Sequence, residues 1–488
     1  MARRTRRQFL EDSMFAAATA AAVAGSASPL MGSNRPGSKS PNERLNVAVI
    51  GVKGRGNSHI GAFAGRNDTQ VTWIVDADRE VGAIRVEEVE KRQNGVRPKF
   101  TTDLREMLED NEVHITSIAT PNHWHALGAI WSIQAGKDVY VEKPVSHNVS
   151  EGRRIVEAAR KYERICQTGT QCRSSTGLQE AIAFLRDGGI GDVKLARGLC
   201  YKRRGSIGER GDYPVPSSVD YDLWLGPAPM ASVTRKQFHY DWHWQWPYGN
   251  GDLGNQGIHQ MDIGRWGLGV DRLSDSIFSY GGRFGYVDAG DTANTQVVVH
   301  NFGDKTLTFE VRGLETPELK GAKVGVIFEG SDGYLVIPSY ESATAFDKDG
   351  NKIKDFRGGE DHFGNFLTAV RSRSIADLNA DIEEGHQSSA LCHLGNISYR
   401  LAGTPLKVAE AEERIAAVAA SDDMQATFAR TLEHLGANKV ELEGLELSVG
   451  PVMAFDPVAE TFVDSDAGNA MLTREYRAPF VVPEAGKV

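Results

Sequence analysis

The run Leu45-Asn-Val-Ala-Val-Ile50, followed at once by Gly51-Val-Lys-Gly-Arg-Gly56, narrows the possible folds most. The first part reads as a strand buried on both faces, because almost every residue is apolar and several are β-branched. The glycines then permit a tight turn, and a helix is expected from Asn57. Further strands are expected at Val71–Asp76, Val113–Thr120, Val139–Val141 and Ile165–Thr168. Strands alternating with helical patterns at this rhythm argue for an α/β fold with a doubly wound parallel sheet.

A strand, a glycine turn and a helix are also the context that a dinucleotide fingerprint requires. The spacing G-x-G-x-x-G would place glycines at 51, 53 and 56, but position 53 is Lys and Gly54 follows it. Either the phosphates shift or Lys53 pairs with them. The helix N-terminus offers free N–H groups to an anion in both cases. Gly51, Lys53, Gly54, Arg55 and Gly56 are therefore candidate cofactor contacts. The second strand ends on Asp76, where a carboxylate accepts both ribose hydroxyls of NAD and repels a 2′-phosphate. NAD is favoured over NADP. Asp78 competes for that role, and Asp76 could instead cap the next helix.

The carboxyl ends of the later strands should border the same crevice. Ala119-Thr-Pro-Asn-His123 is polar and turn-forming there, so Thr120, Pro121 and Asn122 join the candidates. His125 is a cofactor neighbour or a first-turn helix residue. Val139-Tyr-Val-Glu-Lys-Pro-Val145 ends a buried strand with Glu142 and Lys143, which aims a lysine into the crevice from a rigid support. Pro144 restricts the backbone of Lys143 and can be cis.

The character changes after Gly188-Gly189. Val193–Tyr201, Asp275–Gly281, Thr295–Asn301, Leu307–Arg312, Lys323–Glu329 and Tyr334–Ile337 are strand-like, several alternating apolar with polar. That pattern suits a large, mostly antiparallel open sheet. Helices are expected at Gln179–Arg186, from His362 to Val370 and from Glu384 to Leu401. The expected organisation is a leader over 1–42, a nucleotide-binding domain over 43–170, a second α/β domain over 171–405 and an extension over 406–488.

A second chemical cluster lies within Tyr248–Asp262. A helix beginning near Asn255 would place Asn255, His259 and Asp262 at i, i+4 and i+7, on one face. Such a polar stripe supplies hydrogen bonds to a sugar-like substrate and a titratable imidazole; a helix cap with one satisfied histidine is the plainer reading. Upstream, Phe238–Tyr248 crowds aromatic residues, Trp244 among them, whose faces could wall a carbohydrate site or simply fill a core. His239 and His243 are spaced for a metal, but no third ligand is evident and no metal is expected.

These motifs resemble those of the Gfo/Idh/MocA oxidoreductase family, which includes glucose-fructose oxidoreductase and inositol dehydrogenase. The resemblance spans about Leu45 to Ala402. It rests on the glycine turn, on Ala119-Thr-Pro-Asn-His123, on Glu142-Lys143-Pro144 and on Gly257-Ile-His259-Gln-Met-Asp262. It implies an N-terminal Rossmann domain, and a C-terminal α/β domain whose open sheet often forms an oligomer interface, so a homo-oligomer is expected. It also implies that Lys143 lies near the nicotinamide and helps move the hydroxyl proton, with His259 as acid/base or substrate ligand. Many members have Asp where this chain has Asn255, and asparagine cannot take a proton. The expected activity is hydride transfer between NAD and a secondary alcohol of a sugar or polyol, with the cofactor tightly held. A redox-neutral NAD-dependent glycosidase and a non-catalytic sugar-binding protein are the alternatives.

Net charge and leader set the remaining expectations. The 488-residue chain carries a formal charge of −10, which disfavours a nucleic-acid partner. Thr5-Arg-Arg-Gln-Phe-Leu10 fits a twin-arginine export signal, and Met14–Leu30 is too short and small-residued for a membrane span. The expected location is periplasmic. The four cysteines show no metal-type pairing and read as buried free thiols.

Overall fold

The computed structural model describes residues 44–488. The expected export leader lies outside them.

Six parallel strands form the first sheet: β1 (Leu45–Ile50), β2 (Thr69–Val75), β3 (Lys99–Thr101), β4 (Ile115–Ile118), β5 (Asp138–Val141) and β6 (Cys166–Thr168). Their order is β3-β2-β1-β4-β5-β6. The strand order reverses between β1 and β4, so the crevice beyond their carboxyl ends is the topological switch point of this sheet. β4 and β5 are buried along their whole length. Helices Gly56–Ala64, Arg79–Arg92, Asn122–Gln134 and Val149–Lys161 flank the sheet. The last of these starts with a reciprocal cap: Asn148 Oδ1 accepts from the Glu151 N–H at 2.9 Å, and the Glu151 carboxylate accepts from the His147 N–H, one residue before the cap, at 2.7 Å. β3 has no counterpart among the expected strands; it is three residues long and pairs only at an edge.

The second sheet has twelve strands. Its main run is β7 (Val193–Cys200), β8 (Ser276–Gly282), β9 (Thr295–Phe302), β10 (Lys305–Arg312), β11 (Val324–Gly330), β12 (Gly333–Ile337), β13 (Ser342–Asp347) and β14 (Lys352–Arg357), ordered β14-β13-β12-β11-β7-β10-β9-β8. Only the central β7–β10 pair is parallel; the other pairings in the sheet are antiparallel. Helix Gly257–Leu268 packs on one face through small residues: a Cβ at Gly264 would meet Leu307, and one at Gly267 would meet Phe328.

The segment beyond 405 is part of this fabric. Glu446–Val449 pairs with β8 and extends the sheet. Helices Val408–Ala416 and Met424–Ala437 cover the face of β8 and β9 through Ile415, Met424 and Phe428 against Phe278, Tyr280 and Val299. Beneath them Glu310, fully buried, accepts hydrogen bonds from Arg197, Arg312, Arg430 and the Tyr201 hydroxyl. A carboxylate out of water is tolerated only when its lone pairs are filled in this way. The irregular tail returns to the first sheet, where Phe480, Val482 and Val488 join the core beside Trp124 and Ile133.

Candidate active site

The glycine turn lies at the switch point. Gly51 has φ +79°, and a Cβ there would meet the Thr120 backbone nitrogen at 2.6 Å. A Cβ at Gly56 would meet the Gly51 carbonyl oxygen at 2.0 Å. Both positions exclude any side chain. A Cβ at Gly54 meets nothing within 4 Å, which leaves the backbone open to the crevice where the fingerprint has shifted by one residue. Gly51, Lys53, Gly54 and Arg55 line a cavity of about 560 Å³ that also takes in Asp76, Thr120, Pro121, Asn122, His125, Glu142 and Lys143.

Asp76 receives the Val52 N–H on Oδ2 at 2.8 Å and the Asp78 N–H on Oδ1 at 3.0 Å. Burial nevertheless pushes its carboxyl up. Asp76 borders the cavity and does not cap the next helix; Asp78 does, receiving the N–H groups of Glu80 and Val81. The Thr120 hydroxyl is buried without a partner beside the turn. An open glycine backbone, a carboxylate at the end of β2 and an unused buried hydroxyl together fit a dinucleotide: phosphates at Gly54 and ribose at Asp76.

Arg55 and Glu142 belong together. Arg55 Nε bonds Glu142 Oε1 at 2.7 Å, and His59 Nε2 reaches the same oxygen at 3.1 Å, with His59 Nδ1 at 2.8 Å from the Ser117 hydroxyl. Burial alone would raise the Glu142 pKa, but Arg55, His59 and Lys143 hold it well below the usual carboxylate range. The pair ties the glycine turn to the strand end that carries Lys143. His125 ties a second edge, with Nδ1 2.6 Å from the Pro144 carbonyl and Nε2 2.7 Å from the Thr120 carbonyl. The Lys143–Pro144 bond is cis.

Lys143 Nζ donates to the Asn255 main-chain carbonyl at 3.0 Å. Burial lowers its pKa; Glu142 opposes this, while Arg55, Lys202 and Arg204 add to it. Asn255 ends the short helix Gly251–Asn255, and Gln256 precedes a new helix, Gly257–Leu268. Asn255 and Gln256 line the cavity. His259, one turn on, is 3% exposed, lies against Tyr340 with ring centroids 4.8 Å apart, and has an unpartnered Nδ1. Burial, then the adjacent Lys143 ammonium, hold its pKa well below the ordinary imidazole value. The amine and imidazole expected to work together are thus electrostatic neighbours.

Some expected placements are overturned. Asp262 does not face the crevice: it is fully buried, bound through both oxygens by Arg173 at 2.9–3.0 Å and by the Ser388 hydroxyl at 2.7 Å. The helix break at Gln256 defeats the single polar face that the i, i+4, i+7 spacing implied. Trp244 is likewise buried, packed with Ile207 and Ala289, and the Arg204 guanidinium lies 5.3 Å from its ring. Tyr240, Trp242 and His243 line the cavity instead. His239 and His243 diverge: His239 Nε2 bonds Asp78 Oδ2 at 2.8 Å, whereas His243 Nδ1 donates to the Tyr240 carbonyl at 2.6 Å. Among the described residues no group of three or more His, Cys, Asp or Glu could hold a metal.

The largest unforeseen feature is the stretch between β7 and Gly251. It crosses to the first sheet and roofs the crevice. The Arg79 N–H bonds the Ser218 carbonyl, the Asp220 N–H bonds the Ala77 carbonyl, and His239 clasps Asp78. Leu223 and Trp224 from this strap share the cavity wall with Asp76, Thr102 and Leu104. The tail holds the strap down, with Arg477 bonded to Asp222 and to the Gly226 carbonyl. The only sequence signal for the strap was its aromatic crowding, which marks packing without saying against what.

Comparison with known proteins agrees with this geometry. Residues 45–170 match the model of the Gfo/Idh/MocA oxidoreductase family, NAD-binding Rossmann fold, and residues 208–433 match its C-terminal alpha/beta domain. A levoglucosan dehydrogenase of Pseudarthrobacter phenanthrenivorans is 25% identical over 247 residues, 49% of this chain and 54% of that protein. An alpha-N-acetylgalactosaminidase of Shewanella oneidensis is 32% identical over 127 residues, 25% of this chain and 28% of that protein. The chain thus spans about half or less of the length of these curated relatives. The WlbA dehydrogenase of Bordetella pertussis, solved with NADH and UDP-GlcNAcA, shares the fold at TM-score 0.53 and 21% identity, over 71% of this chain and 94% of that one. The chain belongs to the Gfo/Idh/MocA oxidoreductase family and carries its NAD-binding Rossmann domain.

Proposed function

We propose that this protein is an NAD-dependent oxidoreductase acting on a secondary alcohol of a sugar or polyol, with its cofactor retained between turnovers. Lys143 carries the reading. Bound NAD would supply the hydride acceptor, held by Gly51, Gly54, Asp76 and Thr120. A neutral Lys143 has two N–H groups and one lone pair. The Asn255 carbonyl takes one N–H and so orients the lone pair. Burial and the surrounding cations favour that neutral form. The substrate hydroxyl proton then passes to Nζ. His259, kept neutral by burial beside Lys143, does not itself line the cavity and would act by relaying the proton.

The strap supports retention: Leu223, Trp224 and His239 close over the side of the crevice that would hold adenosine. The twin-arginine pattern at Thr5–Leu10 supports export of the folded protein, which would have to carry its cofactor with it. Denaturing the purified protein should release NAD at near one equivalent. A carbohydrate panel added to the native protein should change the nicotinamide absorbance. A cofactor-loaded protein that responds to no sugar or polyol overturns the reading.

Asn255 favours one second reading. Asn255 lines the cavity with a side chain that cannot take a proton, which suits a cycle with no net redox change, in which a sugar is oxidised transiently, loses its aglycone and is re-reduced. Release of a chromogenic aglycone without added NAD would support this reading over the dehydrogenase.

A further inference from the structure

We propose that His243 is a substrate-binding residue whose Nε2 accepts a hydrogen bond from the sugar, from a hydroxyl other than the one oxidised. The inference rests on the carbohydrate oxidoreductase reading and goes beyond it, to a contact that selects among sugars.

Nothing in the proposed chemistry uses His243. It sits in the strap, in the 3₁₀ turn Asp241–Trp244, and lines the cavity. The titratable groups close enough to act on it are Arg204, Lys143 and Asp252, which places it at the end of the crevice where the hydroxyl would be oxidised. Its ring is held on several sides. The ring centroid lies 3.7 Å from that of Trp242 with 19° between the planes, and Tyr240 and Trp244 flank it at 4.9 Å and 5.6 Å. A ring stacked this closely cannot turn without leaving its partner.

The tautomer is fixed as well. A carbonyl oxygen only accepts, so Nδ1, 2.6 Å from the Tyr240 carbonyl, carries the hydrogen. Nε2 then keeps its lone pair as long as the ring is neutral. Burial, the dominant influence, brings the pKa down to about 3, and the Tyr240 carbonyl only partly opposes it. The same weakness excludes the rival role. An imidazole this weakly basic holds no proton near neutral pH, which makes it a poor general base and a steady acceptor.

A ring nitrogen without a partner is not rare in this protein, but at His123, His259 and His300 that nitrogen is sealed in the interior. Nε2 of His243 also lacks a hydrogen-bond partner among the described residues, yet it is not sealed: the residue opens on the cavity. A ligand that displaces water from such an acceptor without offering a donor loses affinity. A deoxy carbon would leave the lone pair unpaired, and an ether oxygen or a carboxylate would set two acceptors face to face. The ligand must therefore bring an O–H or an N–H to this point. A sugar hydroxyl supplies the first and an acetamido group the second. Because the ring is ordered beforehand, little freedom is lost when the bond forms.

The test uses the holoenzyme and reads nicotinamide absorbance with glucose, galactose and mannose, their monodeoxy forms and their 2-acetamido counterparts. For the sugar that reacts best, one deoxy form should be inert, because it lacks the hydroxyl oxidised. Another should show a KM raised at least about tenfold, the scale of one acceptor left unpaired. Preference for the acetamido form would assign the donor as its N–H. His243→Phe keeps a ring on Trp242 and removes the acceptor. It should raise KM for the parent sugar by a similar factor, with a smaller effect on kcat and with NAD still bound. It should penalise that one deoxy sugar no further, since both changes remove the same bond. His243→Gln, with an acceptor on a freer arm, should fall between. An unchanged KM for the parent sugar in His243→Phe, or losses that multiply for every deoxy sugar, overturn the inference while leaving the oxidoreductase reading intact. Absorbance unmoved by every sugar, with NAD bound, overturns both. If the phenylalanine variant fails to fold, the same comparison of parent and deoxy sugars on His243→Gln decides the matter.

Discussion

The two walls of the crevice are made in opposite ways. On the Rossmann side the central residues sit at or just past the carboxyl end of a strand: Gly51 after β1, Asp76 after β2, Thr120 after β4, Glu142 and Lys143 after β5. On the other side the wall comes from a loop and a broken helix. Its residues are fixed by partners far along the chain, such as Asp78 for His239 at 161 positions and Asp252 for Arg204 at 48. A parallel sheet converts local sequence pattern directly into position, because the strand end and the crevice are the same place. A loop has no such rule. Its side chains are sorted by long-range contact, and sequence spacing alone misleads.

Lys143 gives the largest expected effect and tests the first wall. Lys143→Met should lower kcat by about 10²–10⁴-fold, the usual contribution of a positioned acid/base, with NAD still bound in stoichiometric amount. The wild-type rate should rise with pH, since the unprotonated amine is the active form. Its midpoint should fall below the ~10.4 of a free lysine, because burial lowers this pKa. Loss of cofactor together with activity would mean that the two functions of this wall are not separable.

Asp262 tests the second wall. Sequence spacing put it with the substrate; the structure puts it in a buried pair with Arg173. Asp262→Asn should therefore cost stability, about 3–5 kcal/mol for breaking a buried pair, seen as a lower denaturation midpoint. KM of the protein that remains folded should stay unchanged. The reverse pattern, a raised KM at full stability, would restore the sequence-based placement.

His239→Ala asks whether the strap governs cofactor exchange. It removes the strap's side-chain bond to Asp78, worth about 0.5–1.5 kcal/mol because that carboxylate keeps the Glu80 and Val81 N–H groups. Release of NAD should quicken about tenfold in a displacement experiment, with little change in the chemical step. An unchanged release rate would leave the roof without a role in retention.

How much of this was legible follows from the same contrast. The strands of the first sheet were readable from apolar runs, β3 excepted, because a three-residue edge strand carries too little pattern to register. Lys53, where the fingerprint breaks, was visible as a departure; that Gly54 opens the backbone there was not, since it depends on what surrounds a Cβ. The Arg55–Glu142 pair was hidden for a different reason. Both residues were recognised, but nothing in sequence says that positions 87 apart share a bond. A helix was expected to begin near Asn255, whereas Asn255 ends one short helix and the next begins at Gly257, a break that only the backbone shows. β13 and β14 escaped notice because small and charged residues dilute their apolar alternation and much of β14 is exposed.

The cysteines supply the smallest expected effect and bear on both walls. They are spread across them: Cys166 in β6, Cys172 just beyond it, Cys200 at the end of β7 and Cys392 in helix Ile382–Arg400. All four are buried and unpaired, and burial raises each thiol pKa. A thiol kept protonated and out of solvent reacts slowly, even in an oxidising compartment. Reducing agent should leave the melting temperature unchanged. A thiol reagent should label the native protein slowly and then modify all the cysteines once it is unfolded. Rapid labelling of Cys200 alone, which lies just before the strap, would show the second wall opening on its own while the sheet beneath the first stayed closed.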